Sequence, residues 1–150
     1  MGYGKIEFIV VIVIVAIMAI ILTTGVPSLG IHSVHDIILK YKENDTKAAL
    51  GSLRTAIAMY YADHDGNYPS ANIVAELTQD RKYLDKIPSV HIGRHPRSNN
   101  ILVTDLDKDQ DTGDWAYKVD DSTDSTGKVK GQIWINCTHK DSQGHVWNTL

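Results

Sequence analysis

Only one of the 150 residues is a cysteine, Cys137. An intramolecular disulfide and any all-cysteine zinc site are thereby excluded. Charge of one sign is lacking too. Eighteen acids face fifteen bases, a formal net charge of −3, which gives no electrostatic reason to expect a nucleic-acid partner. The chain has no Gly-rich phosphate loop, no Ser/His/Asp constellation with usable context, no internal repeat and no low-complexity tract. For want of convergent catalytic groups, an enzyme is not expected. The length is too short for a TIM barrel or a two-domain enzyme. At 43% hydrophobic the chain is too apolar for a disordered tail.

What is there is unevenly spread. Residues 1–35 hold one acid (Glu7), one base (Lys5) and 22 hydrophobic residues, while the other 115 hold 17 acids, 14 bases and 42 hydrophobics. Phe8 to Leu22 is a run of fifteen apolar residues, and no formal charge follows until Asp36. At about 1.5 Å per residue, roughly 20 residues cross a bilayer core. The uncharged stretch from Phe8 through Leu29 meets that length, so a membrane span is expected, with Lys5 favouring a cytoplasmic N-terminus. A cleaved signal peptide competes with it: n-region Lys5, h-region 8–22, and small residues Thr23 and Gly25 before a cut. Glu7 argues against both, because a carboxylate beside such a run weakens a signal n-region and needs a partner near a membrane.

Beyond the run, Val34, Ile37, Ile38, Tyr41, Ala48, Ala49, Leu53, Ile57, Tyr60 and Tyr61 recur at helical spacing. Gly25, Pro27 and Gly30 should loosen or kink the helix, the polar stretch 42–47 should be its weak point, and Asp65-Gly66-Asn67-Tyr68-Pro69 should end it. A short helix is expected over 71–80. Strand signals follow at Ile101–Thr104, Trp115–Val119, Gln132–Cys137 and Val146–Trp147, separated by turn-rich stretches. The expected fold is α+β: a long N-terminal helix over 5–64, packed through its second half on an antiparallel sheet of three to four strands. The expected organisation is a leader remnant at 1–2, a transmembrane or filament-core helix at 3–30, an amphipathic continuation at 31–64 and a globular part at 65–150. The three tryptophans read as core packing.

Asp105, Asp107, Asp109 and Asp111 place carboxylates at every second position of a turn. Oxygen ligands so spaced suit calcium, although the run is not an EF-hand, and a solvated acidic turn is the plain alternative. His91 and His95 are four apart, but Gly93 and Pro96 argue against a helix presenting them to zinc. These two, with His139 and His145, read as surface histidines. Asn136-Cys137-Thr138 matches a glycosylation sequon, a pattern met often by chance.

Gly2-Tyr3-Gly4-Lys5-Ile6-Glu7 followed by the apolar run resembles the class III signal and N-terminal helix of type IV pilins and type II secretion pseudopilins. Residues 53–70 (LRTAIAMYYADHDGNYPS) and 111–147 resemble the end of the long helix and the sheet in the pseudopilin-like members. With Cys137 unpaired, the disulfide-looped pilins are a poorer match. The resemblance implies the pilin fold, cleavage by a prepilin peptidase between Gly2 and Tyr3, and a methylated Tyr3 as the first mature residue. It implies assembly through the Tyr3 amine, Glu7 and the apolar helix from Phe8 onward, with Pro27 as the kink, displaced from its usual place. The implied function is a structural subunit of a type IV pilus-like filament. Its partners would be identical subunits, the inner membrane before assembly, the peptidase and the assembly machinery. Such a subunit moves from the bacterial inner membrane to a cell-surface filament. The alternatives are the major pseudopilin of a type II secretion system, which is periplasmic, and a secreted calcium-dependent binding domain. No cofactor is required, and calcium is the only one raised.

Overall fold

The computed structural model describes residues 4–24, 31–104, 110–121 and 127–150. The chain divides into two units, Met1–Ile37 and Ile38–Leu150.

In the first unit, helix α1 runs over Lys5–Thr24. Isoleucine and valine are only moderate helix formers, but the run is too long for a strand and contains neither Gly nor Pro. Its start is capped locally. The Gly4 N–H donates to the Glu7 carboxylate at 3.0 Å, and Phe8 N–H closes the first turn on the Gly4 carbonyl at 3.2 Å. This is the glutamate half of a capping box; Gly4 has no side chain to return the bond.

One expectation is overturned here. Among the described residues no helix is long and apolar enough to cross a membrane. The unbroken apolar run of fifteen residues spans only about 22 Å of helix, against a hydrocarbon core of about 30 Å. The longer span drew on Val26 and Leu29, and α1 ends at Thr24. Placement in the inner membrane is therefore withdrawn, and with it the export route and surface or periplasmic localisation built on that anchor. Gly2, Tyr3 and Pro27 lie outside the described residues, as does the kink expected at 25–30.

Helix α2 covers Ile31–Asp63. In the second unit its face made of Leu50, Leu53, Ala56 and Ile57 is buried in the core. The polar stretch 42–47 is no weak point. Thr46 is fully buried, its hydroxyl donating to the His91 carbonyl (3.1 Å) and accepting from the His91 N–H (2.9 Å). Glu43 accepts from Ser142, and Lys47 pairs with Asp141. Those polar side chains dock two loops onto the helix. The helix stops at the expected signal. Gly66, at φ +82°, returns its N–H to the Tyr61 carbonyl at 3.0 Å, an αL termination of the kind glycine permits.

Helix α3 (Ile73–Thr78) buries Ile73 and Leu77 and passes into a short 3₁₀ turn over Gln79–Arg81. The described strands β1 (Ile101–Thr104), β2 (Trp115–Lys118) and β3 (Ile133–Ile135) form one sheet in the order β1-β2-β3. The sheet is mixed, not antiparallel. β1 and β2 are parallel, with Ile101 opposite Trp115, whereas β2 and β3 are antiparallel, with Trp115 opposite Ile135. Hairpin loops are short, and parallel neighbours need a longer return. The ten residues between Thr104 and Trp115 supply up to about 33 Å of extended chain, enough to bring β2 back to the start of β1. The fourth strand expected at Val146–Trp147 is instead an isolated bridge from Val146 to Lys140 and a 3₁₀ turn over Trp147–Thr149. Trp115, Trp134 and Trp147 are all buried, as core packing requires. The fold is α+β: a long helix and a small mixed sheet.

Candidate functional site

Two features carry chemistry, one in each unit. In the first, α1 has no hydrophilic face. Its large apolar side chains from Ile6 to Ile21 are 45–78% exposed, and its charges, Lys5 and Glu7, sit in the first turn. Phe8 lies on this apolar surface, while Glu7 is the side chain that caps the helix.

In the second unit, four side chains meet at one end of the sheet: His95, Asp111, Cys137 and His139. They come from three separate segments. His95 belongs to the polar connection before β1, whose shape is set by the bridge between Val90 and Ser98. Asp111 precedes β2. Cys137 and His139 follow β3, two residues apart. Nε2 of His95 lies 3.3 Å from Nδ1 of His139, and Sγ of Cys137 is 3.4 Å from each nitrogen. The Asp111 carboxylate closes the group, Oδ1 at 3.7 Å from His95 Nε2 and Oδ2 at 3.6 Å from His139 Nδ1. One ligand atom from each residue lies within 4.8 Å of every other.

The backbone is shaped to hold this group. Asp111 adopts φ +54°, a conformation that costs a non-glycine residue. Its N–H donates to the Asn136 side-chain oxygen at 3.2 Å, and its Oδ1 accepts the Thr138 N–H at 2.7 Å. The Thr138 N–H holds the Asp111 carboxyl below the usual carboxylate range against the opposing effect of burial. Cys137 is fully buried, and burial pushes its thiol up to about 11. The Cys137 carbonyl accepts from Asn148 and the His139 carbonyl from Trp147, so both ligand-bearing residues are tied to the C-terminal turn. Gly113 sits under His95 at φ +78°, where an added Cβ would lie 2.4 Å from the His95 Cβ and Cγ. Gly113→Ala is accordingly expected to lose at least about 2 kcal/mol from the left-handed backbone and the clash together. Urea melts of the two proteins check this; a loss under about 0.5 kcal/mol would mean that His95 is not seated there.

The sequence reads these four histidines as surface residues; His145 is exposed, but His91, His95 and His139 are half-buried. The His95 side chain is only 13% exposed and His139 33%. His91 holds α2 through its backbone, and His145 lies beside Asp141. Neither joins the cluster. Of the four aspartates read as calcium ligands, Asp105, Asp107 and Asp109 lie outside the described residues. Asp111 faces imidazole nitrogen and sulfur. The available signal was Cys137-Thr138-His139: in an extended segment, residues two apart project to the same side. The sequon reading falls on the same stretch, but Asn136 is buried and bonded to Thr112 and Asp111.

Searched against protein-family models, curated proteins and solved structures, the chain matches none.

Proposed function

We propose that the chain is a structural subunit of a type IV pilin-like helical filament whose core is built from the α1 helices of many copies. One observation carries this reading: α1 is apolar all round and exposed all round. A helix with one apolar stripe needs one neighbour, whereas a helix without a polar face needs neighbours on every side. No described helix is long and apolar enough to cross a membrane, and copies of the same helix offer a matching apolar cover. Head-to-tail packing with an unclosed rotation surrounds each helix by others and yields a filament. The α+β layout, a long helix with a small sheet, fits the pilin fold.

Glu7 sets the register. Its bond to the Gly4 N–H satisfies one acceptor position of a carboxylate that keeps its negative charge. Packed among apolar helices, that carboxylate needs a cation. The amine of Tyr3 on a neighbouring copy, freed by peptidase cleavage after Gly2, supplies one. Apolar surfaces slide past one another at little cost, and an ion pair does not. In this role the chain is a substrate of the peptidase and a building block, with no catalysis of its own.

Assembly of the purified, processed chain tests this by negative-stain microscopy and sedimentation. The wild type is expected to form fibres of constant width. Glu7→Ala should lose about 3 kcal/mol per subunit added, roughly a 100-fold weaker addition constant, and yield no ordered fibres. Wild-type protein that stays monomeric, or Glu7→Ala fibres of the same width and yield, would overturn the reading.

A further inference from the structure

The geometry points to a zinc site formed by His95, Asp111, Cys137 and His139, in which the ion fastens the connection before β1 to the far end of the sheet. The filament reading plays no part in this inference.

The distances match a tetrahedral shell. Zinc–nitrogen bonds of about 2.0–2.1 Å set tetrahedral N···N edges near 3.3 Å, and a zinc–sulfur bond of about 2.3 Å sets N···S edges near 3.5 Å. The observed edges are 3.3 Å between the nitrogens and 3.4 Å from sulfur to each. The Asp111 carboxylate stands on the more open side, Oδ1 3.7 Å from His95 Nε2 and Oδ2 3.6 Å from His139 Nδ1, so that one of its oxygens can take the fourth position.

A hydrogen-bonded cluster explains the arrangement less well. Two imidazole nitrogens and a sulfur stand at the corners of a nearly equilateral triangle. With neutral side chains the thiol S–H can serve one edge and an imidazole N–H a second, because each such bond prefers an angle above about 150°. The third edge is then left without a proton in a partly buried place, which is costly. One divalent cation at the centre satisfies every edge at once. A thiolate and a carboxylate also neutralise its two charges, and two neutral imidazoles complete the set.

The donor set selects the metal. Thiolate and imidazole are poor ligands for calcium or magnesium, which take oxygen. Four protein ligands in a tetrahedral arrangement leave no open position for substrate, the pattern of a structural zinc. The surrounding backbone supports the same conclusion. Gly113 leaves room for the His95 ring, and the Thr138 and Asn136 bonds aim Asp111 inward. Ligand-orienting contacts of this kind accompany metal sites. The ion would link chain position 95 to the segments at 111 and 137–139, which are already tied to each other by the bonds of Gly113 N–H to the Asn136 carbonyl and Asn136 N–H to the Asp114 carbonyl.

The full chain, stripped with a chelator, is titrated with zinc alone and, separately, with cobalt(II) alone. The expected result is one equivalent bound, with the strong visible absorption of tetrahedral cobalt and a thiolate-to-cobalt charge-transfer band. Zinc should raise the melting temperature by roughly 10 °C or more at saturating concentration. Cys137→Ser should abolish the charge-transfer band and weaken zinc binding at least about 100-fold, while His35→Ala, far from the cluster in sequence and exposed, should change neither. If Cys137→Ser fails to fold, His139→Cys decides: it keeps four ligands and should intensify the charge-transfer absorption, an effect that folding damage does not produce. Octahedral cobalt, a melting temperature indifferent to zinc, or stabilisation by calcium but not by zinc would overturn the assignment.

Discussion

Trp115→Ala is expected to lower the stability of the second unit by about 3–5 kcal/mol, the range for truncating a fully buried tryptophan. Trp115 is the first residue of the central strand and has no exposed surface. It stands opposite Ile101 on the parallel side and Ile135 on the antiparallel side, so a cavity there touches both neighbouring strands. Its indole N–H donates to the Pro88 carbonyl at 2.8 Å. That bond anchors the connection which carries His95. Trp115→Ala therefore removes bulk and also frees the segment before the cluster. Trp115→Phe separates the two effects, since it keeps most of the volume and leaves the Pro88 carbonyl without its donor. It should cost about 1–3 kcal/mol. Urea or guanidinium melts followed by circular dichroism measure both. Because a domain of this size has only about 5–15 kcal/mol in total, the alanine variant should be marginal at 37 °C. A loss under about 1 kcal/mol would mean that the core does not close around this ring.

Much of this core was legible in the sequence, for reasons that also mark where legibility ends. Ile101–Thr104, Trp115–Val119 and Gln132–Cys137 stand out because β-branched and aromatic residues cluster between turn-forming stretches, and each contains a strand. The long helix shows in the recurrence that places Leu53 and Ile57 on one face. The direction of pairing was not legible. β1 and β2 pair in parallel, whereas composition alone reads the acidic stretch after Thr104 as a hairpin turn. Alternation puts Trp134 and Asn136 on the face of the strand opposite Ile133 and Ile135, and both faces are buried; Lys128 lies over the Trp134 ring.

The cluster was hidden for a different reason. A helical metal motif announces itself by spacing, and the i, i+4 pair His91 and His95 is broken by Gly93 and Pro96. The convergence is made by loops, and loop routes depend on tertiary contacts: Thr46 against His91, Trp115 against Pro88, Asn136 against Asp111. Each of those partners reads as an ordinary polar or core residue until the fold is known. The same holds for 42–47, where a polar run that weakens an isolated helix becomes the surface on which two loops dock. Local pattern describes elements well, and a site assembled from several of them much less well.

Lys47→Ala should show a marked pH dependence of its stability loss. The Asp141 side chain has no exposed surface, and its Oδ2 lies 2.5 Å from the Lys47 ammonium. Burial pushes this carboxyl up, but Lys47 together with the N–H groups of His145 and Gln143 outweighs burial and holds it down at about 2. A carboxyl lowered on folding stabilises the native state above its unfolded value near 4, and that contribution fades as pH falls through the folded value near 2. A shift of this size corresponds to about 2 kcal/mol at neutral pH. Removing Lys47 leaves a buried carboxylate with its two backbone donors and the His145 ring 3.4 Å away, a loss of about 3 kcal/mol at pH 7. The carboxyl then titrates at higher pH than in the wild type. The stability gap between the two proteins should shrink as pH falls from about 4 toward 2, because protonated Asp141 no longer needs the ammonium. Asp141→Asn offers the converse case. It removes the charge, leaves Lys47 partly exposed and free to reach water, and should cost less than Lys47→Ala while flattening the acid limb of the stability curve. Melts at stepped pH values resolve the three proteins. A gap that stays constant down to pH 2 would mean that Lys47 acts through its packing over the Trp147 ring, 5.6 Å away, and not through the charge on Asp141.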